Sequence, residues 1–519
     1  MQDYDISPVR ADQDDKNIDR DLKRFEAAHE VWRNNNDRWD ECYEFGMTGR
    51  PGFNGGSLDG RFDRVFDDTA PQSVGTFASR MQQFVLPTRL VRLEGGSKLD
   101  AKQRLSLNKK LVQVNEDIYA VLRDSNFGTQ SYECFQDLSV GTGFLKIEHG
   151  SIGSMVNFAS VPLTDMVTDN GPDGSLDYFA HTRNEKLQDI NIIWPNAELP
   201  EELLKKRNDN PLEKIELIEM EYRDYSSPNI IQYQYRLIWK KEKKSLLDFT
   251  RRGRGSSPLI GFRWSKAGKE VYGRGPLYTT LPNVKVLNLV RQYILEGAEL
   301  ALQPMFQYED DGVINPDTIE LVPRAMIPKG RGSSGIEPLI TNTDTRLGQF
   351  EVSELRQAIK EALFHDYLGS TEGTPMSARE VSERAAEMAS KVGAPFNRLN
   401  SELIQPIVHR VIYIMKEAGV IPDELEVDGE TIVAVPLAPL ARAQQAEDLT
   451  AIDRYVEMMQ ARLGPEMANI VIDQFGYADK MRELMDVPPE IVRAPEQRDE
   501  IQAQMQQALQ AQMGGQNGG

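Results

Sequence analysis

An α+β fold is predicted for this chain of 519 residues from three features of its apolar pattern. Apolar residues recur at helical spacing to about residue 126, the period falls towards two between residues 144 and 239, and helical spacing returns after residue 275. Because 40% of the chain is apolar, a substantial core can be buried, spread over about two to four structural units at this length.

Taken in order, Ile18, Leu22, Phe25, Ala28, Trp32, Trp39 and Tyr43 predict an amphipathic helix over residues 15–45. Six glycines and one proline between residues 46 and 60 bury little, which predicts a loop. Val74, Phe77, Met81 and Phe84 predict a helix over 73–86, ended before Pro87, and another helix follows over 100–126. Phe144, Ile147, Val156 and Phe158, set among Gly143, Gly150 and Gly153, predict short strands. The alternation over residues 215–239 predicts two antiparallel strands around a turn at 226–229.

The later helices are punctuated by proline and glycine. A helix over 276–303 carries the periodic set Val286, Leu289, Val290, Tyr293 and Leu300, with Pro276 near its start and Pro282 in a preliminary turn ahead of the main body. Beyond the irregular stretch 304–348, Leu355, Ile359, Leu363 and Tyr367 mark a helix that stops at Gly369. Residues 370–376 read as a short polar loop, after which Ser377 and Glu380 stand at capping-box spacing before Val381, Ala385, Met388 and Val392. A helix over 399–419 is kinked, or begins its second part, at Pro406. Another helix covers 442–463, and the tail 497–519, with eight glutamines, is helical at most to residue 512 and disordered after it.

Charge and motif searches exclude more than they assign. Lys plus Arg total 60 against 80 Asp plus Glu, a net charge of −20, too acidic for a chain that grips nucleic acid over its whole surface. Cys42 and Cys134 lie far apart, so no disulfide framework or zinc site is expected, and a cytosolic chemistry is. The longest near-apolar run, 432–441, is too short to span a membrane, and the segment after Met1 has no apolar core of a secretory signal. The string GRGSSG at 330–335 lacks the strand and helix a dinucleotide site needs, and neither GxxxxGK[ST] nor GxSxG occurs. The histidines, His29, His149, His181, His365 and His409, show no HxxxH or HExxH spacing.

Two carboxylate groups, Glu309, Asp310 and Asp311, and Asp165, Asp169 and Asp173, sit in turn-rich contexts that favour solvated turn residues over metal ligands. Basic residues cluster at Arg251, Arg252 and Arg254 and at Arg324, Lys329 and Arg331, where phosphate contact and protein interface are equally open readings. No catalytic residue, cofactor or metal is predicted. Two other classes stay open, a metal-dependent DNA-processing enzyme using the acidic clusters and an acidic assembly scaffold.

One string sharpens the functional reading. LIGFRWSKAGKEVYGRGP at 259–276 resembles the head-to-tail connector, or portal, proteins of short-tailed bacteriophages, and further segments agree in order: DDTAPQSVGTFASRMQQFVLP at 67–87, GTGFLKIE at 141–148, PMSAREVSERAAE at 375–387, LIQPIVHRV at 403–411, PLAPLARAQ at 436–444 and VPPEIVR at 487–493. The resemblance implies a portal-type fold assembled as a ring of about twelve copies at one capsid vertex. On its pattern residues 1–274 form the N-terminal wing, 275–303 the first stem helix, 304–348 the clip, 349–369 the second stem helix, 370–376 the tunnel loop, 377–465 wing and crown helices, and 466–519 the crown and tail. Ser370, Thr371, Glu372, Gly373, Thr374, Pro375 and Met376 would then line the DNA channel, and Arg324, Lys329 and Arg331 of the clip would touch DNA, terminase or adaptor. Implied partners are further copies of the chain, double-stranded DNA, the terminase large subunit, tail adaptors, and the major capsid and scaffolding proteins, with no membrane. The implied location is the virion, after assembly in the host cytoplasm.

Overall fold

The computed structural model describes residues 11–53, 62–86, 89–96, 98–150, 153–227, 230–302, 306–308, 336–338, 345–365, 393–422, 431–437 and 451–462, with scattered positions between 464 and 481. The mixed helix and sheet class is as predicted. Helix α1 spans Ala11–Gly46. α2, Thr69–Val85, begins one turn earlier than predicted and buries Val74, Phe77, Met81 and Phe84. Strand β1, Val91–Gly95, lies along α3, Ala101–Arg123.

The next helix, α4, Phe127–Val140, is missing from the prediction. Gly128, Thr129 and Ser131 are weak helix formers, and burial of Phe127, Phe135 and Leu138 overrides them. The predicted short strands follow as β2, Thr142–His149, β3, Val156–Val161, β4, Met166–Asn170, and β5, Leu176–Lys186. Two short helices, α5, Ile190–Ile193, and α6, Glu201–Asp209, precede the predicted hairpin of β6, Lys214–Asp224, and β7, Gln232–Trp239. Asp224 pairs with Gln232 at its turn. β8, Lys244–Arg252, and β9, Leu259–Arg263, complete this half.

Strands β4 to β8 form a five-stranded antiparallel sheet in chain order, and β3-β2-β9 a three-stranded one. The period of two sorts the larger sheet between covers. Leu217 and Leu237 pack with Trp194 and Leu203 beside α5 and α6, while Ile218 and Ile238 pack against Ile18, Leu22 and Phe25 of α1. Charges buried in this sandwich are paired, as their desolvation demands. Arg236 reaches Asp21 of α1 and Asp248 of β8, each at 2.5 Å. Glu219 accepts from Tyr235 at 2.9 Å and lies 3.4 Å from both Lys146 and Arg183. Burial pushes the Glu219 carboxyl up, but Lys146 and Arg183 outweigh it and hold it below its ordinary value.

Chain segments far apart in sequence meet backbone to backbone beside the three-stranded sheet. Gly141 has φ 153°, and a Cβ there would lie 2.1 Å from the Gly273 carbonyl oxygen. A Cβ at Gly275 would lie 2.1 Å from the Ser139 oxygen. Only glycine permits this approach, through which Trp264 N–H reaches Gly141 O at 2.9 Å and Gly275 N–H reaches Val140 O at 2.8 Å.

α7, Pro276–Leu302, is one helix with Pro282 inside it. The preliminary turn predicted at Pro282 is therefore a correction: Leu277, Leu281 and Val284, buried in the main core, hold the helical path through the missing donor. β10, Phe306–Tyr308, pairs antiparallel with β11, Ile336–Pro338. α8, Thr345–Ala362, ends short of the predicted Gly369. Phe364 takes φ 57°, and the N–H of His365 bonds Lys360 O at 2.7 Å, closing the helix with a left-handed cap. The Phe364 ring sits 5.8 Å from that of Trp264, which supplies the reason for the early stop. Tyr367, Gly369 and the capping box at Ser377 and Glu380 lie outside the described residues.

The predicted break at Pro406 is present. A π-helical segment, Asn400–Ile404, leads into α9, Gln405–Glu417, with Pro406 in its first turn, where an amide donor is dispensable. Within it, burial and then the Arg254 guanidinium depress His409 to about 4. The unfolded chain protonates this imidazole first, so stability is expected to fall as pH drops from about 6.5 towards 4, by about 3 kcal/mol. Denaturation midpoints across that window test this, and His409→Gln should flatten the slope. β12, Ile432–Pro436, pairs antiparallel with β1, and a helix, α10, covers residues 451–462 of the predicted 442–463.

Candidate functional site

Helices α7 and α8 lie side by side, and the chain that leaves one and returns to the other is drawn together by the β10–β11 ladder. Their inner sides, Leu281, Val284 and Leu287 on α7 and Val352 and Ile359 on α8, belong to the main core. The opposite side of α7 is also apolar. Val286, Leu289 and Tyr293 recur at i, i+3 and i+7, forming a stripe, and are 46%, 45% and 60% exposed. Phe350 of α8 is 60% exposed as well.

Of the periodic set read from the sequence, Val286, Leu289 and Tyr293 lie on the outer face of α7 and Val290 packs against the core, whereas the core face itself is Leu277, Leu281, Val284 and Leu287. A helix apolar on both sides offers two valid stripes, and periodicity alone does not say which faces inward.

Besides this packing and the Lys285–Glu41 pair at 2.7 Å, both helices meet the body at one shared carboxylate. Asp67 Oδ2 accepts from Arg356 Nη2 at 2.6 Å and Nε at 3.0 Å, and Arg291 Nε of α7 stands 3.7 Å away. Asn288 of α7 accepts from Phe66 N–H at 2.7 Å and donates to Arg64 O at 2.9 Å. Burial alone would raise the Asp67 carboxyl, but hydrogen bonds from Thr69 and Arg356 outweigh it and hold it below the carboxylate range. The tie is therefore complete above about pH 4 and weakens as pH falls through that depressed value.

The other sequence-derived candidates are dispersed. Asp173 accepts from Ser175 N–H and Oγ as a turn carboxylate, and Asp165 stands 3.9 Å from His181. Among the described residues no three His, Cys, Asp or Glu side chains converge as a metal site, and no helix is long and apolar enough to cross a membrane. Arg251 pairs with Glu221. Glu309, Asp310 and Asp311, the GRGSSG string, Arg324, Lys329 and Arg331, and Ser370, Thr371, Glu372, Gly373, Thr374, Pro375 and Met376 lie outside the described residues.

The family described as bacteriophage head to tail connecting protein matches residues 18–492. The chain is 26% identical over 242 residues to the probable portal protein of Bordetella phage BPP-1, covering 44% of this chain and 42% of that one. It is 25% identical over 278 residues to the portal protein of Salmonella phage epsilon15, covering 50% and 48%. Each alignment therefore spans less than half the length of the relative it matches. Among solved structures, the neck of a native gene transfer agent particle, determined with C12 symmetry, aligns with 14% identity and a TM-score of 0.33 over 74% of this chain and 87% of that chain.

Proposed function

The chain belongs to the bacteriophage head to tail connecting protein family, and on that premise we propose that it is a portal subunit. It forms a ring at one capsid vertex of the virion, through which duplex DNA is packaged and ejected and on which terminase and tail adaptor dock. Its work is mechanical and positional rather than catalytic.

The observation that carries this reading is the second apolar stripe of α7. A helix apolar on opposite sides needs a cover on each. The core supplies one, and Val286, Leu289 and Tyr293 are covered by an adjacent copy of the chain. Such a contact joins unlike surfaces and closes into a ring when the rotation per copy is right. α7 and α8 are then the stem, the chain between them the clip, residues 370–376 the tunnel loop, and the sheets with α1 to α6 the wing. A charge of −20 per subunit gives the ring a field that resists capture of DNA, suiting a conduit.

Negative-stain imaging with light scattering of the purified full chain tests the reading. Rings with an axial opening are expected. A monomer, or an assembly without an opening, from chain that circular dichroism shows to be folded, overturns it.

A further inference from the structure

Against a total of −20, residues 89–110 hold seven cations and two carboxylates. The cations are Arg89, Arg92, Lys98, Lys102, Arg104, Lys109 and Lys110. The fold gathers this segment into β1 and the first half of α3, and the strand added beside β1, β12 with its flanks at 431–437, brings no charge. Among the described residues Arg104, Lys109 and Lys110 have no carboxylate partner, unlike Arg236, Arg263, Arg356 and Lys146 elsewhere in the body. Lys109 and Lys110 are exposed. Arg104 packs its stem on Gly95, where a Cβ would come within 2.9 Å of Arg104 Cγ, and its Nε has no hydrogen-bond partner.

Helix stability does not explain these cations. Lys102 and Arg104 stand at the N-terminal end of α3, which has no acidic residue in its first turn, so their charge opposes the macrodipole. The patch also lacks what a protein partner needs. Protein interfaces centre on apolar and aromatic groups, yet among the described residues no large apolar side chain is exposed between Phe62 and Ile192. Cations without an apolar centre match a phosphate backbone, which is bound by charge and without regard to base sequence. At physiological ionic strength the screening length is about 8 Å, so the patch sets its own local potential despite the acidic remainder.

We propose that the exposed side of the first half of α3, where Lys109 and Lys110 are presented, is an outer contact for the phosphate backbone of duplex DNA, separate from any channel. The probe is a covalently closed circular duplex, which cannot thread a closed ring, so its binding reports the outer surface whether or not the ring reading holds. Binding of the assembled wild-type protein is measured between about 50 and 200 mM salt, beside Lys109→Glu/Lys110→Glu and Lys109→Gln/Lys110→Gln. The wild type should bind with affinity falling steeply in salt. The glutamine pair should lower the log–log salt slope by about 2, and the glutamate pair should weaken binding by tenfold or more. The glutamine pair carries the test if the glutamate pair does not fold. No wild-type binding, or an unchanged affinity and slope in the folded variants, overturns the proposal. So does equal wild-type binding to polyglutamate that the same substitutions abolish, which assigns the patch to an acidic protein.

Discussion

Glu402→Ala should lower the folding stability of the chain by about 3–5 kcal/mol, read as a shift of the chemical-denaturation midpoint. The Arg263 side chain is 1% exposed, and its Nη2 donates to Glu402 Oε1 at 2.6 Å and its Nε to Oε2 at 3.2 Å. The backbone N–H of Arg263 donates to the same carboxylate at 3.0 Å. The remaining acceptors are neutral: Asn170 Oδ1 and the carbonyls of Val271 and Gly174. Without Glu402 a buried guanidinium loses its counter-charge, and Arg398 and Lys266 add further positive charge. Lys266 is already depressed by burial and then by Arg263 and Arg398, with Glu402 opposing. Arg263→Met with Glu402→Leu removes both charges and should recover much of the loss. A loss under about 1 kcal/mol for Glu402→Ala would show that solvent reaches the pair.

Leu289→Glu should leave the subunit folded and abolish the ring, whereas Leu287→Glu, two residues earlier on the same helix, should prevent folding. Leu287 is 1% exposed and Leu289 45%. A carboxylate at 287 is driven into the core without a partner. At 289 it meets water in the lone chain but would face an apolar neighbour in the proposed ring, once in every interface. Light scattering should report a monomeric mass for Leu289→Glu with unchanged circular dichroism. Intact rings from Leu289→Glu would remove α7 from the subunit contact.

Legibility in the sequence followed the source of each element's stability. α1 declares itself because Ile18, Leu22, Phe25 and Ala28 face one cover and the other side is charged. α4 does not, since its helical state is imposed by neighbours on a sequence with weak intrinsic preference. Pro406 announced a break, but not that a π-helical segment would lie before it or that Glu402 would point from it to Arg263. The early end of α8 was hidden because a non-glycine residue took the left-handed cap, held there by aromatic neighbours. The stripe on α7 was legible as a stripe, while its outward direction was not, because the pattern of a helix apolar on two sides does not say which side turns to the core. The basic patch of α3 was countable from the start but submerged in the total charge.

One consequence concerns the outer margin of β1. Asn108 accepts from Gly95 N–H, Asn115 both accepts from and donates to Leu93, and Tyr119 donates to Val91 O. Side chains of a helix thus finish the ladder where another strand would otherwise dock, so this ribbon is sealed along one flank against recruiting a strange polypeptide. In the proposed ring, where identical molecules would be concentrated at one spot, such sealing would keep adhesion confined to the surfaces meant for it.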